Sequence, residues 1–155
     1  MPTIREALQK ANAKLHPKVN DALAKEVFEA VKDEESAAIY ETVYKVYTPK
    51  MYQRRFDRGG MADPENIKGA VKDGKLHVIN VTQPNDAKPS YTTNKNLPAL
   101  IEHGDGYKGY HYDFGGGVYI IPRPFMKKTV EHLQENKTHV DALRSGLKRQ
   151  GVRFK

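Results

Sequence analysis

The sequence predicts a single α+β domain spanning residues 1–155, with N-terminal helices, a small antiparallel sheet and a long C-terminal helix packed on that sheet. Three observations predict this class. Apolar residues recur at helical spacing in the first third of the chain. An Asp73-Gly74 turn signal introduces the clearest strand. Finally, Pro122 and Pro124 stop a second short strand and lead into another helical stripe.

The N-terminal region predicts two helices. The first runs from Met1 to Leu15 and ends at His16-Pro17, because a residue that precedes proline disfavours helical geometry. The second is amphipathic and spans Lys18 to Asp33. The apolar stripes are Ile4, Leu8, Ala11 and Leu15 in the first helix, and Val19, Leu23, Val27 and Val31 in the second.

Residues 39–47 fit either a helix or a strand. Ile39, Val43 and Val46 follow helical spacing, and a parallel series of tyrosines does the same. The segment is nevertheless almost entirely β-branched or aromatic, which favours a strand. We prefer the helix, with the strand as the alternative, and Thr48-Pro49 ends the element in either case.

A β-hairpin is predicted around Asp73-Gly74. Lys75 to Thr82 forms its second arm, with Leu76 and Val78 on one face, and Ile67 to Lys72 pairs with it as the first arm. This hairpin accounts for most of the predicted sheet.

The second half of the chain predicts two more helices. Leu97 to Ile101 forms one or two helical turns. After a short strand at Val118 to Ile121, the C-terminal helix begins near Phe125, and its apolar stripe continues to Leu147.

Positive charge is concentrated in two segments of a chain whose net charge is +7. Lys45 to Arg58 holds five basic residues and one acidic residue, and Lys127 to Lys155 holds eight and three. Such an excess is typical of phosphate contact or of docking on acidic protein surfaces, and charge alone does not separate the two. The predicted basic surface consists of Lys127, Lys128, Lys148, Arg149 and Arg153.

The composition excludes several classes of site. The chain has no cysteine, which excludes a disulfide framework, a thiolate metal site and a cysteine nucleophile. Its first residues form no apolar signal region, and no run is long enough to cross a bilayer. We therefore expect a soluble protein that is made and used without secretion and has no membrane contact.

Two segments have the composition of contact surfaces. Arg54, Arg55 and Arg58 lie beside Tyr52 and Phe56, a combination that suits a protein interface or nucleic acid, with a solvated loop as the alternative. Residues 104–117 are rich in glycine and tyrosine, which suits a loop that orders against a partner. The predicted interface residues are Tyr52, Arg54, Arg55, Arg58, Tyr107, Tyr110, Tyr112, Arg123 and Phe125.

Catalytic and metal chemistry is poorly supported. Glu102, His103, Asp105, His111 and Asp113 could supply metal ligands, but their spacing matches no recognised pattern, and solvated side chains are the preferred interpretation. No serine lies in a nucleophile-elbow motif. We expect no cofactor, no metal and no enzymatic activity. An unrecognised small enzyme remains an alternative, because active sites assemble from residues distant in sequence.

Three segments, in order, resemble the tail-completion and head–tail joining proteins of long-tailed bacteriophages, the group that includes the minor tail protein Z type. Thr48 to Met61 occupies the place of that family's Pro-x-x-Thr-Gly-x-Leu-like turn, although Tyr52-Gln53 and an arginine-rich insertion replace its Thr-Gly. Leu100 to Gly104 looks like its Val-Glu-x-Gly-like strand end. Pro122 to Met126 looks like the Pro-Phe-Met start of its final helix.

The resemblance implies a structural virion protein that forms a ring and either completes the tail or joins it to the head connector. The implied partners are further copies of the chain, connector or neck proteins, and tail-tube or tail-terminator proteins, with the passing DNA as a further contact. The implied location is the head–tail junction of the virion, after a stay in the host cytoplasm. Judged on its residues alone, the chain could instead be a basic nucleic-acid-binding protein.

Overall fold

The computed structural model describes residues 3–46, 55–83, 97–103 and 122–154, and it confirms the α+β class. The predicted strand at 118–121 and the glycine- and tyrosine-rich segment 104–117 lie outside these residues. The elements are α1 (Ile4–Ala22), a π-helical turn (Leu23–Val27), α2 (Phe28–Ile39), a second π-helical turn (Tyr40–Tyr44), a 3-10 turn (Pro64–Asn66), β1 (Ile67–Lys72), β2 (Lys75–Asn80), α3 (Leu97–His103), α4 (Phe125–Asn136) and α5 (Thr138–Arg149).

Residues 4–44 form one continuous helix, which we call the rod, so the prediction that His16-Pro17 ends a helix is wrong. Pro17 lies inside α1, where it removes one backbone donor. The next turn is held from outside the helix. The Lys18 ammonium donates to the Gln150 carbonyl oxygen, and the Gln150 side-chain amide donates to the Lys18 carbonyl oxygen, both at 2.8 Å. These bonds fix the backbone immediately after the proline.

The helical interpretation of the ambiguous segment is confirmed for Ile39 to Tyr44. The last of these residues form a π-helical turn, closed by a bond from the Lys45 amide to the Tyr40 carbonyl oxygen at 3.0 Å. A π turn holds more residues than an α turn. It therefore keeps side chains spaced four apart closer to one side of the rod, which suits the repeat that ends at Val43.

β1 and β2 form the predicted antiparallel hairpin, with Ile67 opposite Asn80. Asp73 and Gly74 connect the strands with φ values of 52° and 71°. A two-residue hairpin turn of this hand requires positive φ at both central residues, which Asp-Gly tolerates well. The predicted turn and strand pairing are both confirmed.

One face of the hairpin packs on the rod. Gly69 lies against the ring of Phe28 so closely that an added Cβ would fall 2.5 Å from a ring carbon. The opposite face is exposed and carries Lys68, Ala70, Lys72, Lys75, His77 and Ile79.

The predicted long C-terminal helix is instead two helices. Lys137 adopts a left-handed conformation with φ of 57° between α4 and α5. Glu34 of the rod braces this corner, because its Oε1 accepts from the Asn136 amide at 3.3 Å and from the Thr138 hydroxyl at 3.1 Å. Both helices pack chiefly on the rod rather than across the sheet.

The hydrophobic core lies where the second half of the rod, the turn at 59–62 and the start of α4 meet. Tyr44 closes one side, because its hydroxyl oxygen accepts from the backbone amides of Met61 and Ala62 at 3.0 and 3.3 Å. Burying these side chains removes apolar surface from water, which is the main stabilising term of the fold. The core residues are Ile39, Val43, Met61, Ala62 and Phe125.

Candidate interaction surfaces

The first turns of the rod project from the body of the protein. Every residue from 3 to 17, a segment we call the arm, is exposed. The apolar stripe of the first predicted helix is exposed with it, since Ile4 retains 82%, Leu8 66% and Leu15 43% of its accessible surface. The described residues thus leave one apolar helical face uncovered.

The arm begins at a well-formed cap. The Thr3 hydroxyl oxygen accepts from the Glu6 backbone amide at 3.3 Å, and the Glu6 carboxylate accepts from the Thr3 backbone amide at 2.8 Å. This reciprocal capping box satisfies two amides that would otherwise lack an intrahelical partner. The exposed helix therefore has its own start signal and is continuous with a packed helix at its other end.

Packing of the rod begins abruptly after the arm. Gly146 of α5 lies so close to the rod that an added Cβ would meet Ala22 Cβ and a Glu26 carboxylate oxygen, both at 2.6 Å. Two small residues thus let the backbones approach. The Arg149 guanidinium then binds Asp21 and Glu26 together.

This ion-pair cluster changes the expected role of Arg149. Hydrogen bonds from Lys25 and Arg149 lower the pKa of Asp21, and the bond from Arg149 lowers that of Glu26. The same two carboxylates raise the pKa of Arg149. Its positive charge is neutralised within the fold, where it helps to hold α5 on the rod.

A buried polar network holds the hairpin on the rod. The Asn80 amide donates to the Glu35 carboxylate at 3.1 Å and to the Met61 carbonyl oxygen at 2.8 Å. Thr82 Oγ1 lies 2.6 Å from Asn80 Oδ1 and 3.2 Å from the Gly60 carbonyl oxygen. Burial raises the pKa of Glu35, and the bond from Asn80 opposes that shift. This buried carboxyl therefore has a structural partner.

A second charged cluster joins the rod to α4, with His132 and Glu34 largely buried and Glu41 exposed. The two ring nitrogens of His132 lie 3.5 Å from Glu34 and 3.2 Å from Glu41. Lys128 adds a cation, 3.4 Å from Glu41 and 3.8 Å from Glu131. The cluster links the rod to α4 through polar contacts.

The described members of the arginine cluster have different surroundings. The Arg55 guanidinium donates to the Gln83 carbonyl oxygen at 2.6 Å, whereas Arg58 is exposed. Between them, the Phe56 ring stacks on Tyr40 with centroids 6.1 Å apart and planes 9° from parallel. The remaining predicted interface residues of this loop, Tyr52 and Arg54, lie outside the described residues.

The predicted interface residues near the proline corner are less accessible. Arg123 is half-buried, and its backbone amide donates to the Ile101 carbonyl oxygen at 2.8 Å. Phe125 is 0% exposed in the core. The prediction that Phe125 contacts a neighbouring subunit is therefore corrected, because its ring fills the body of its own chain. Tyr107, Tyr110 and Tyr112 lie outside the described residues.

The predicted basic surface is divided by its ion pairs. Lys127, Lys148 and Arg153 are exposed. Lys128 and Arg149 contact carboxylates of the rod. Three lysines of the hairpin lie outside the predicted basic surface and add positive charge on another face: Lys68, Lys72 and Lys75.

Of the proposed metal ligands, Glu102 has a clear structural role. Its carboxylate accepts from the backbone amides of Met126 at 2.8 Å and Lys127 at 3.3 Å, and so caps the start of α4. Across the described ranges, no group of three or more histidine or acidic side chains is placed to hold a metal ion. Asp105, His111 and Asp113 lie outside those ranges.

Among the helices of the described segments, none combines the length and apolar character needed to cross a membrane.

Comparison with known proteins gives two matches. A family model described as YomN matches residues 7–149. The SPbeta prophage-derived uncharacterized protein YomN of Bacillus subtilis (strain 168) is 31% identical over 115 residues, which cover 74% of this chain and 71% of that protein. No solved structure matches the chain significantly. The matches support a phage origin, and they do not include a head–tail joining family.

Proposed function

The chain belongs to the YomN family, and from that premise we propose that it is a structural virion protein of a long-tailed phage. In this proposal it is a ring subunit that completes the tail or joins it to the head connector. The prophage origin of its relative supports a phage-associated role. The resemblance of its turn and helix-start segments to head–tail joining proteins supports the more specific role, whereas the segment likened to a strand end belongs to helix α3.

The exposed arm is the observation that carries the proposal. Large apolar side chains on a well-capped helix are costly to leave in water, and an uncovered apolar face typically marks a site of contact with another molecule. Ile4 and Leu8 are more than half exposed. A protein that acts by assembly needs such surfaces, and helix-in-groove or helix-on-helix contact is a common way to use them.

The charged clusters and the aromatic pair support a role in contact rather than in reaction. Glu35 is bound to Asn80 within the core, and Glu34 and Glu41 face His132. In the proposal, the surface at Arg58 and the stacked Tyr40 and Phe56 rings meets neighbouring subunits. The protein functions without catalysis, cofactor or membrane, first in the host cytoplasm and then at the head–tail junction.

The proposal is tested in the phage that encodes the chain. We expect the protein in purified particles, at several copies per particle by quantitative mass spectrometry. Deletion of its gene should yield filled heads and separate tails in electron micrographs, with complementation by the wild-type gene restoring joined particles. Intact particles from the deletion strain, or particles that lack the protein, would contradict a structural role.

A second candidate function, nucleic-acid binding, is favoured by one observation. Lys68, Lys72 and Lys75 project from the same exposed face of a two-stranded hairpin, a shape that fits the major groove. Binding of this kind weakens steeply as salt rises, because phosphate contacts release counterions. This candidate would be supported by an affinity for duplex DNA that decreases as the salt concentration rises. At a fixed salt concentration, Lys72→Gln should bind more weakly than the wild type, and Lys10→Gln should bind as the wild type does.

A further inference from the structure

We propose that two copies of the free protein pair through their arms, as an antiparallel two-helix contact around a two-fold axis. The inference rests on the proposed role of the arm as an assembly surface and names its partner, a second copy of this chain. The pair would cover the apolar stripe until the protein meets its neighbours in the particle.

The stripe has the spacing of a helix-packing seam. Ile4, Leu8, Ala11 and Leu15 are separated by four, three and four residues, which is the alternation of a and d positions in a heptad. In an antiparallel pair Ile4 lies opposite Leu15 of the partner subunit, and Leu8 lies opposite Ala11 of the partner subunit. The outer layers therefore join two large side chains, and each inner layer joins a leucine to an alanine, which lets the helices approach closely at the centre of the pair.

The charges beside the stripe are compatible with the antiparallel pair. One flank carries Arg5 and Asn12, and the other carries Ala7 and Lys14. Like flanks meet when two helices run in opposite directions, so Arg5 faces the partner's Asn12 and Lys14 faces the partner's Ala7. On these flanks no two cations oppose each other. The antiparallel helix dipoles attract, which offsets part of the repulsion between two arms that each carry Arg5, Lys10 and Lys14 against Glu6.

The position of the body favours the antiparallel direction. Packing begins at Lys18, directly after the arm. In the antiparallel pair the two bodies lie at opposite ends, and Thr3 of one arm reaches the partner's His16, so the arm is as long as the contact requires. A parallel pair would instead force the two bodies side by side.

The pair is expected to be weak. Four layers form a smaller contact than the roughly 1,000 Å² of a stable interface, so we expect a dissociation constant on the order of micromolar. The stripe is too narrow for strong membrane binding, because it contains only three large apolar residues, an alanine at position 11 and no aromatic residue.

Sedimentation equilibrium of the full chain tests the inference. We expect a concentration-dependent monomer–dimer equilibrium that is abolished, or weakened at least about 100-fold, by Leu8→Glu. The control Gln9→Glu makes the same charge change outside the stripe and should dimerise as the wild type does. Circular dichroism should show both variants folded, because both positions are exposed.

Cross-linking tests the direction of the pair. The chain has no cysteine, so single thiols can be placed at will. Arg5→Cys mixed with Asn12→Cys should cross-link through a short bifunctional thiol reagent far more efficiently than either variant alone. Equal or greater linking within the separate variants would overturn the antiparallel geometry.

Three results would overturn the pairing itself: a monomer at all concentrations up to about 1 mM, equal effects of Leu8→Glu and Gln9→Glu, or a monomer that cosediments with phosphatidylglycerol vesicles through the arm. These outcomes differ from failure of the proposed function. A monomer that is present in virions contradicts only the pairing, whereas a dimer that is absent from virions contradicts only the virion role.

Discussion

The arm and the remainder of the rod have the same secondary structure but differ in burial. Both carry apolar residues at helical spacing, yet residues 3–17 are exposed while Ala22 and Ile39 are 0% exposed. The difference arises from what lies beside each part. α5 approaches the rod at Ala22 because Gly146 lacks a side chain, whereas the described residues leave the arm uncovered. Periodicity thus defines which face of a helix is apolar, and the rest of the chain decides whether that face is covered.

The largest loss of stability is expected from truncating a side chain in the core that covers the packed part of the rod. Phe125→Ala should lower the free energy of unfolding by about 3–5 kcal/mol, because it removes a fully buried ring and leaves a cavity. Urea denaturation followed by circular dichroism measures this loss. The adjacent Met126 is 41% exposed, and Met126→Ala should cost well under half as much. Similar losses for the two variants would contradict the position of the core.

A smaller loss is expected from overfilling the contact between α5 and the rod. Gly146→Ala places a methyl group 2.6 Å from Ala22 Cβ and a Glu26 oxygen, so we expect a loss of about 1–3 kcal/mol in the same measurement. Ser145→Ala, at the exposed neighbouring position, is the matched control and should be nearly neutral. An unchanged stability for Gly146→Ala would show that the helices are not in close contact.

The buried carboxyl of Glu35, in the packed part of the rod, should make the free energy of unfolding depend on pH. Burial raises the pKa of Glu35 above its ordinary value of 4.5. The folded state therefore holds this proton more tightly than the unfolded chain, so stability falls as pH rises from 4.5 through the raised pKa.

Glu35→Gln should remove that fall and keep an acceptor for Asn80. Its free energy of unfolding should exceed that of the wild type more at pH 8 than at pH 4 in paired denaturation curves. Asp21 and Glu26, whose pKa values are lowered, contribute the opposite trend equally to both proteins. A constant difference between the two proteins across this range would refute the assigned shift.

The smallest effect on stability is expected in the arm. Leu8→Ala should change the free energy of unfolding of the monomer by no more than about 0.5 kcal/mol, because its side chain is 66% exposed. Dilute protein, below the concentration at which copies associate, is required for this measurement. A loss approaching that of Phe125→Ala would show that the arm is covered by its own chain.

Much of the fold could be predicted from sequence because its signals are local. Asp73-Gly74 specifies a turn, and alternation specifies the faces of the strand that follows it. The errors concern what local patterns do not contain. Pro17 lies inside the rod, and Gln150, far along the chain, holds the next residue, Lys18. The break between α4 and α5 has the left-handed Lys137 where a glycine is usual, so the sequence does not mark it. Glu34 of the rod stabilises this corner.

The interaction surfaces were harder to predict for the same reason. Arg149 and Phe125 have the residue types of a contact surface, yet distant partners place one in an ion-pair cluster and the other in the core. The arm was visible as an amphipathic helix. Its exposure could not be predicted, because an apolar stripe has the same sequence pattern whether it packs on its own core or on another molecule.

Hydrogen exchange of the backbone amides tests most directly whether the two halves of the rod differ as described. In dilute protein we expect residues 5–16 to exchange rapidly and residues 19–44 to be strongly protected. Raising the protein concentration through the micromolar range should slow exchange in the arm and leave the remainder unchanged. Equal protection of the arm and of residues 19–44 in dilute protein would contradict the claim that the arm is uncovered. Exchange in the arm that does not change with protein concentration would contradict the claim that it pairs with a second copy.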